Sequence, residues 1–155
     1  MELPKQRSYR PADLAALVGR QVGTSEWMTV TQDAINRFGE ATGDTQWIHT
    51  DPERARRESP YGSTIAHGFL TLSLLGTLFH SAVHIDGVRL VVNYGLNRVR
   101  FPAPVRANSL IRAVFLVRSH KDVERGCEVA FDVHVEGEGL SKPCCIAEWI
   151  LRFYE

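Results

Sequence analysis

The sequence is poor in the features that mark several large classes of protein. It has no surplus of charge: 18 Lys and Arg stand against 18 Asp and Glu. A nucleic-acid binder would show a basic face. The richest basic stretch, Glu53-Arg54-Ala55-Arg56-Arg57-Glu58, is flanked by acids and reads as a solvated helix, so no nucleic-acid partner is expected. No apolar run is long enough to span a bilayer, and no membrane partner is expected either. Cysteine is scarce: Cys127, Cys144 and Cys145 show no zinc spacing, and an odd count does not suggest a secreted disulfide framework. The stretch Met1-Glu2-Leu3-Pro4-Lys5-Gln6-Arg7 lacks the apolar core of a signal peptide. The cytoplasm is the expected compartment.

What remains is an ordinary globular composition. With 155 residues, 44% of them hydrophobic, the chain suits a single domain over 1–155 with one core. Residues Pro11 to Val18 read as a short helix with Leu14, Leu17 and Val18 on one face and Gly19 as its stop. A strand is expected near Glu26 to Val30. Thr31 then looks like an N-cap, with Asp33 in the first turn of a helix striped by Ile35, Phe38 and Thr42 and fraying near Gly43. Asp51-Pro52 opens a second, short helix, which Ser59-Pro60-Tyr61-Gly62-Ser63 ends. From about Ala66 to Ala82 the pattern predicts one long helix, apolar nearly all round and therefore buried.

The second half supplies strands to wrap it. Residues Arg89 to Phe101 alternate, with Val91, Val99 and Phe101 on one face and Leu90, Val92, Tyr94 and Leu96 on the other. Leu110 to Arg118 is a further strand. Cys127, Val129, Phe131, Val133 and Val135 alternate with polar residues in the clearest period-two signal of the chain. Gly137-Glu138-Gly139 makes a turn. Cys145, Ala147, Trp149, Leu151 and Phe153 share a face of the last strand, in which adjacent Cys144 and Cys145 point to opposite sides. Helices first and consecutive strands last argue for an α+β domain with an antiparallel sheet.

The chemistry concentrates between two of the helices. Ala41-Thr42-Gly43-Asp44-Thr45-Gln46-Trp47-Ile48-His49-Thr50-Asp51-Pro52 places a carboxylate and an imidazole in a short irregular link. Thr64-Ile65-Ala66-His67-Gly68-Phe69 opens the long apolar helix. An acid and a base so placed can hold a water between them, and a glycine at a helix start offers backbone N–H groups to a carbonyl. Alone, Asp44 would read as a turn residue bonding nearby amides. His80 and His84 are four apart, but no third ligand accompanies them, so no metal site is expected.

The two segments resemble the MaoC-like dehydratase family, which includes the (R)-specific enoyl-CoA hydratases. The family motif runs Gly-Asp, three variable residues, an aliphatic residue, His and then Asp, with His-Gly at the start of the central helix. Gln46-Trp47, where the family often has Asn-Pro, is similar to the branch named after nodulation protein N. The stretch Tyr94-Gly95-Leu96-Asn97-Arg98-Val99-Arg100-Phe101-Pro102-Ala103-Pro104-Val105 resembles the strand and turn that follow the helix. The resemblance implies a hot-dog fold, a curved antiparallel sheet around one long helix, in a homodimer without cofactor. It implies hydration of 2-enoyl-CoA to (R)-3-hydroxyacyl-CoA. Asp44 and His49 would be catalytic and Gly68 the oxyanion donor. His67, Ser63, Trp47 and Tyr61 would lie on the substrate side, His67 in a structural role that orients the loop or caps the helix, and Ser73 would be a candidate hydroxyl. Arg98 and Arg100 read either as exposed strand arginines or as groups that steer a CoA phosphate. The rivals are a dehydratase of acyl-carrier-protein substrates and a non-catalytic module that binds acyl-CoA.

Overall fold

The computed structural model describes residues 7–155; the N-terminal stretch read for a leader lies outside them, apart from Arg7. In chain order the elements are β1 (Arg7–Tyr9), a 3-10 helix (Pro11–Leu17), β2 (Gln21–Thr24), β3 (Met28–Val30), α1 (Gln32–Thr42), α2 (Trp47–Thr50), α3 (Pro52–Glu58), α4 (Gly68–Ser73), α5 (Leu75–Ala82), β4 (Val83–Ile85), β5 (Leu90–Arg100), β6 (Ser109–Val123), β7 (Gly126–Gly137) and β8 (Cys145–Tyr154).

The main sheet runs β2-β6-β7-β8-β5, antiparallel throughout, with β3 also pairing β6. Its inner face is the one that period-two alternation marks. Val129, Phe131, Val133 and Val135 of β7 and Ala147, Leu151 and Phe153 of β8 are buried, as are Ile111, Ala113, Phe115 and Val117 of β6. The helical segment α4–α5 lies against that face. Phe79 packs edge-on against Phe115, Phe131 and Trp149 at centroid distances of 5.1, 5.2 and 5.8 Å. Each such aromatic contact adds about 0.5–1.5 kcal/mol to the burial of the rings. A sheet curved round one helix in this way is the hot-dog fold, and the α+β class follows from it.

Several local expectations change. The central helix begins at Gly68 and not at Ala66, because the Ala66 N–H donates to the Val105 carbonyl (2.7 Å) and Ile65 bridges Arg106, which keeps this segment extended. It is assigned as two helices that meet at Leu74; the Leu74 N–H still donates to the Leu70 carbonyl, and the Leu78 N–H to the Leu74 carbonyl (both 3.0 Å), so the helical path carries on. Nor is it buried all round: Phe69 is 71% exposed, and Ser73, Thr77 and His80 line the same open side. Register shifts at Asn93/Gly95 and Leu96/Arg98 break the alternation of β5, so Val91, Asn93 and Leu96 face one groove together. The first helix is 3-10, with three residues per turn, so Leu14 and Leu17 stack while Val18 falls outside the row and is 48% exposed. Thr42 is exposed and donates its hydroxyl to the Phe38 carbonyl (2.7 Å) rather than extending the apolar stripe. Cys144 sits just before β8; both it and Cys145 are buried, and all three thiols are free. Two short strands, β1 and β4, pair parallel beyond the main sheet and carry no pattern long enough to read in advance.

Candidate active site

The site is built where α1 stops. Thr31 caps that helix by accepting the Ala34 N–H (3.1 Å), and Gly43 ends it in the left-handed conformation, φ 79°, donating to the Gly39 carbonyl (2.8 Å). Glycine suits this position because it has no Cβ to oppose positive φ. The chain then turns so tightly that a Cβ on Gly39 would lie 2.9 Å from the Asp44 carbonyl oxygen. Asp44 follows, exposed. The expected irregular link contains a single helical turn, α2, which closes when the Asp51 N–H bonds the Trp47 carbonyl (3.0 Å) and which carries His49 inward to 9% exposure. Asp51 then accepts the Arg54 N–H (3.0 Å) and starts α3.

Two backbone carbonyls set the imidazoles. His49 Nδ1 lies 2.7 Å from the Ile65 carbonyl oxygen, and His67 Nε2 lies 2.9 Å from that of Asp44. A carbonyl only accepts, so each of these nitrogens carries the hydrogen. In its neutral form His49 is thereby held as the tautomer whose Nε2 has a free lone pair. The two rings stack at 3.8 Å between centroids and 26° between planes, with Phe38 5.0 Å from His67. A carboxylate oxygen of Asp44 and one nitrogen from each ring all come within 4.8 Å of one another. Such a trio can share one water, one proton or a cation. His67 Nδ1 is buried and has no partner among the described residues.

The remaining candidates spread around this centre. Gly68 is the first residue of α4, a position whose N–H has no acceptor within the helix. It opens on a cavity of about 270 Å³ lined by Tyr61, Gly68, Thr71, Phe101, Val105 and Cys144, and a Cβ there would meet the Phe101 ring at 2.9 Å. Ser63 donates to the Thr64 carbonyl (3.0 Å). Trp47 lies under the Arg54 guanidinium, 4.4 Å from its ring centroid, and is not part of the Gly68 cavity wall. Ser73 donates back to the Phe69 carbonyl (2.7 Å). It lies on a larger groove of about 520 Å³ that also includes Leu72, Phe79, Leu96 and Trp149. His84 pairs with Asp86 (2.9 Å); among the described residues, the group of three potential metal-ligating side chains includes neither His80 nor His84. Arg98 and Arg100 lie on the exposed strand β5, and Arg100 donates to the Val99 carbonyl (2.7 Å).

Sequence reading passed over Gln32 and Thr64. Gln32 Nε2 donates to the His49 carbonyl (2.7 Å), and Thr64 donates to Gln32 Oε1. A glutamine in a first helical turn carries no sequence signal, since its partners lie 17 and 32 residues away.

A buried imidazole of fixed tautomer beside a free carboxylate, on a hot-dog scaffold, is the equipment of a hydro-lyase, an enzyme that adds or removes water across a carbon–carbon bond. The chain belongs to the MaoC-like family, whose model, MaoC like domain, matches residues 13–138. It is 51% identical over 143 residues to 3-hydroxyacyl-thioester dehydratase Z of Mycobacterium tuberculosis, covering 92% of this chain and 94% of that one. It is 44% identical over 143 residues to Nodulation protein N of Rhizobium leguminosarum bv. viciae, covering 90% of this chain and 88% of that one. Among solved structures it resembles the monoamine oxidase regulatory protein of Archaeoglobus fulgius, with a TM-score of 0.77, 25% identity and 97% of each chain covered. Relatives named as dehydratases include, besides the M. tuberculosis protein, 3-hydroxybutyryl-CoA dehydratase of Methylorubrum extorquens, 28% identical over 130 residues.

Proposed function

We propose that this protein hydrates 2-enoyl-CoA thioesters to (R)-3-hydroxyacyl-CoA, and runs the reverse dehydration when product accumulates. The observation that carries the reading is the placement of Asp44 and His49 within 4.8 Å of each other beside the start of the helix that the sheet wraps. Water is a poor nucleophile, and a 2-enoyl thioester accepts it only at C3. Asp44 and the free Nε2 of His49 orient the water and take its proton as the C3–O bond forms. The alkene pair moves toward C2 and the thioester oxygen, where the Gly68 N–H meets the growing charge. A proton then returns from the same site to C2, so the atoms of water end on C3 and C2. No external cofactor enters this balance.

Geometry also supports places for the rest of the substrate. Tyr61 and Phe101 wall the cavity at Gly68, suited to the thioester end. The 520 Å³ groove along α4–α5 is mostly apolar and has the size of a small-molecule site, suited to the acyl chain. We take the assembly to be a homodimer: among the described residues β5 ends the sheet order with an unpaired edge, and Leu90, Val91, Tyr94 and Leu96 on it are exposed together with Phe69 and Phe101. Three free thiols fit a reducing compartment such as the cytoplasm.

The M. tuberculosis relative is named for a thioester, without a carrier, which keeps acyl-carrier-protein substrates as the second reading. Purified protein assayed on crotonyl-CoA and longer 2-enoyl-CoAs, with chiral chromatography of the product, separates the two. The (R) alcohol from CoA substrates is the expected result. An (S) product would overturn the stereochemical assignment, and reaction with acyl-carrier-protein substrates only would establish the dehydratase of that carrier.

A further inference from the structure

The Gln32 side chain, half-buried at the first residue of α1, engages both its nitrogen and its oxygen. Nε2 donates to the His49 carbonyl at 2.7 Å and to Asn36 Oδ1 at 2.9 Å, while Oε1 accepts from the hydroxyl of Thr64, which is 2% exposed. The orientation of the amide is forced at one end. The His49 carbonyl can only accept, so the nitrogen faces it and the oxygen is left for the Thr64 hydroxyl. The Gln32 backbone is itself tied, its N–H donating to Asn108 Oδ1 at 3.2 Å.

Apart from Asn36, the partners of this amide lie on the two segments that grip His49. One is the carbonyl of His49 itself. The other is Thr64, whose neighbour Ile65 supplies the carbonyl that fixes Nδ1. We propose that Gln32 is a positioning residue for His49: it locks α2 against the Thr64–Ile65 segment, so that the imidazole is held at one depth with Nε2 as the free nitrogen. This rests on the hydratase reading for its catalytic consequence, but not for its geometry. A bond that only stabilised the helix start would leave the choice of tautomer indifferent to Gln32. Here the same amide spans both halves of the socket, so loosening it frees the ring to move away from Ile65 and to exchange the hydrogen between its nitrogens.

The test combines nitrogen NMR of the His49 ring with steady-state kinetics on crotonyl-CoA. In the unsubstituted protein His49 should show a protonated Nδ1 and a bare Nε2. Gln32→Met removes all three bonds while keeping an unbranched chain; it should mix the two tautomers and lower kcat by roughly ten- to a hundred-fold with KM little changed, the scale of a misplaced catalytic group. Thr64→Val, which breaks only the far half of the bridge, should move both readouts the same way by less. Adding Gln32→Met to His49→Gln should cost nothing further, because a positioning residue has nothing left to position. Multiplying losses in that double variant, or an unchanged tautomer in Gln32→Met, would overturn the proposal. If Gln32→Met does not fold, Gln32→Glu keeps the shape and the Thr64 contact but sets a carboxylate against the His49 carbonyl, and the same two outcomes decide. Failure of the unsubstituted protein to hydrate any 2-enoyl-CoA would overturn the hydratase reading alone, since the ring signals still report on Gln32.

Discussion

Asp44 and His49 are held very differently, and replacing each should have a different cost. The His49 ring bonds Ile65, stacks on His67 and is nine-tenths buried. Asp44 is exposed, and among the described residues its hydrogen bonds involve its backbone, with His67 and more weakly with Thr42. Asp44→Asn should therefore leave melting temperature unchanged while turnover falls by about a hundred- to ten-thousand-fold, the range of general acid–base catalysis. His49→Gln should lose turnover on the same scale and also stability, by about 1 kcal/mol for the forfeited hydrogen bond. On the proposed mechanism the two share one water, so the double variant should lose far less than the product of the singles. Turnover and thermal melts on these three proteins check all of it. Full activity in Asp44→Asn, with a lowered melt, would reduce Asp44 to a turn residue.

At the scale of elements, α1 is the lever for the site: its first residue carries Gln32 and its last turn launches Asp44. Its cap is a local bond from Thr31 to the Ala34 N–H. Thr31→Ala should cost about 1 kcal/mol and lower the melting temperature by roughly 2–4 °C for a chain of this length, with kcat per folded molecule preserved. Differential scanning calorimetry beside the kinetic assay measures both. Interactions of this short range are also the ones the sequence discloses. The Thr31 and Asp51 caps, the Gly43 stop, the alternation of β7 and β8, and the Asp44-to-His49 spacing all depend on neighbours within a few residues. What eluded it depends on distance. The Ala66 N–H is claimed by Val105, so the central helix starts late. The β5 alternation fails because its partner β8 imposes two register shifts. Gln32 gains meaning only through His49 and Thr64. Gly68 illustrates both cases: its place at a helix start is legible, while its close approach to Phe101 is not.

For the whole molecule, the open side of α4–α5 and the free edge of β5 form one continuous reason to associate. A chain of 17.4 kDa should sediment at twice that mass. Phe69→Glu, placing a charge on the most exposed of the large apolar side chains, should yield the single chain at micromolar concentration in analytical ultracentrifugation. A variant that stays paired would move the interface elsewhere. The order in which the sheet is assembled bears on biosynthesis as well. Phe79 finds its aromatic partners on β6, β7 and β8, all later in the chain. A ribosome adding about 5–20 residues each second therefore leaves the helix, and the loop that carries the acid and base, without its covering for several seconds. During that interval the nascent chain offers a chaperone an apolar helix, and a protease should cut it freely until β8 has emerged.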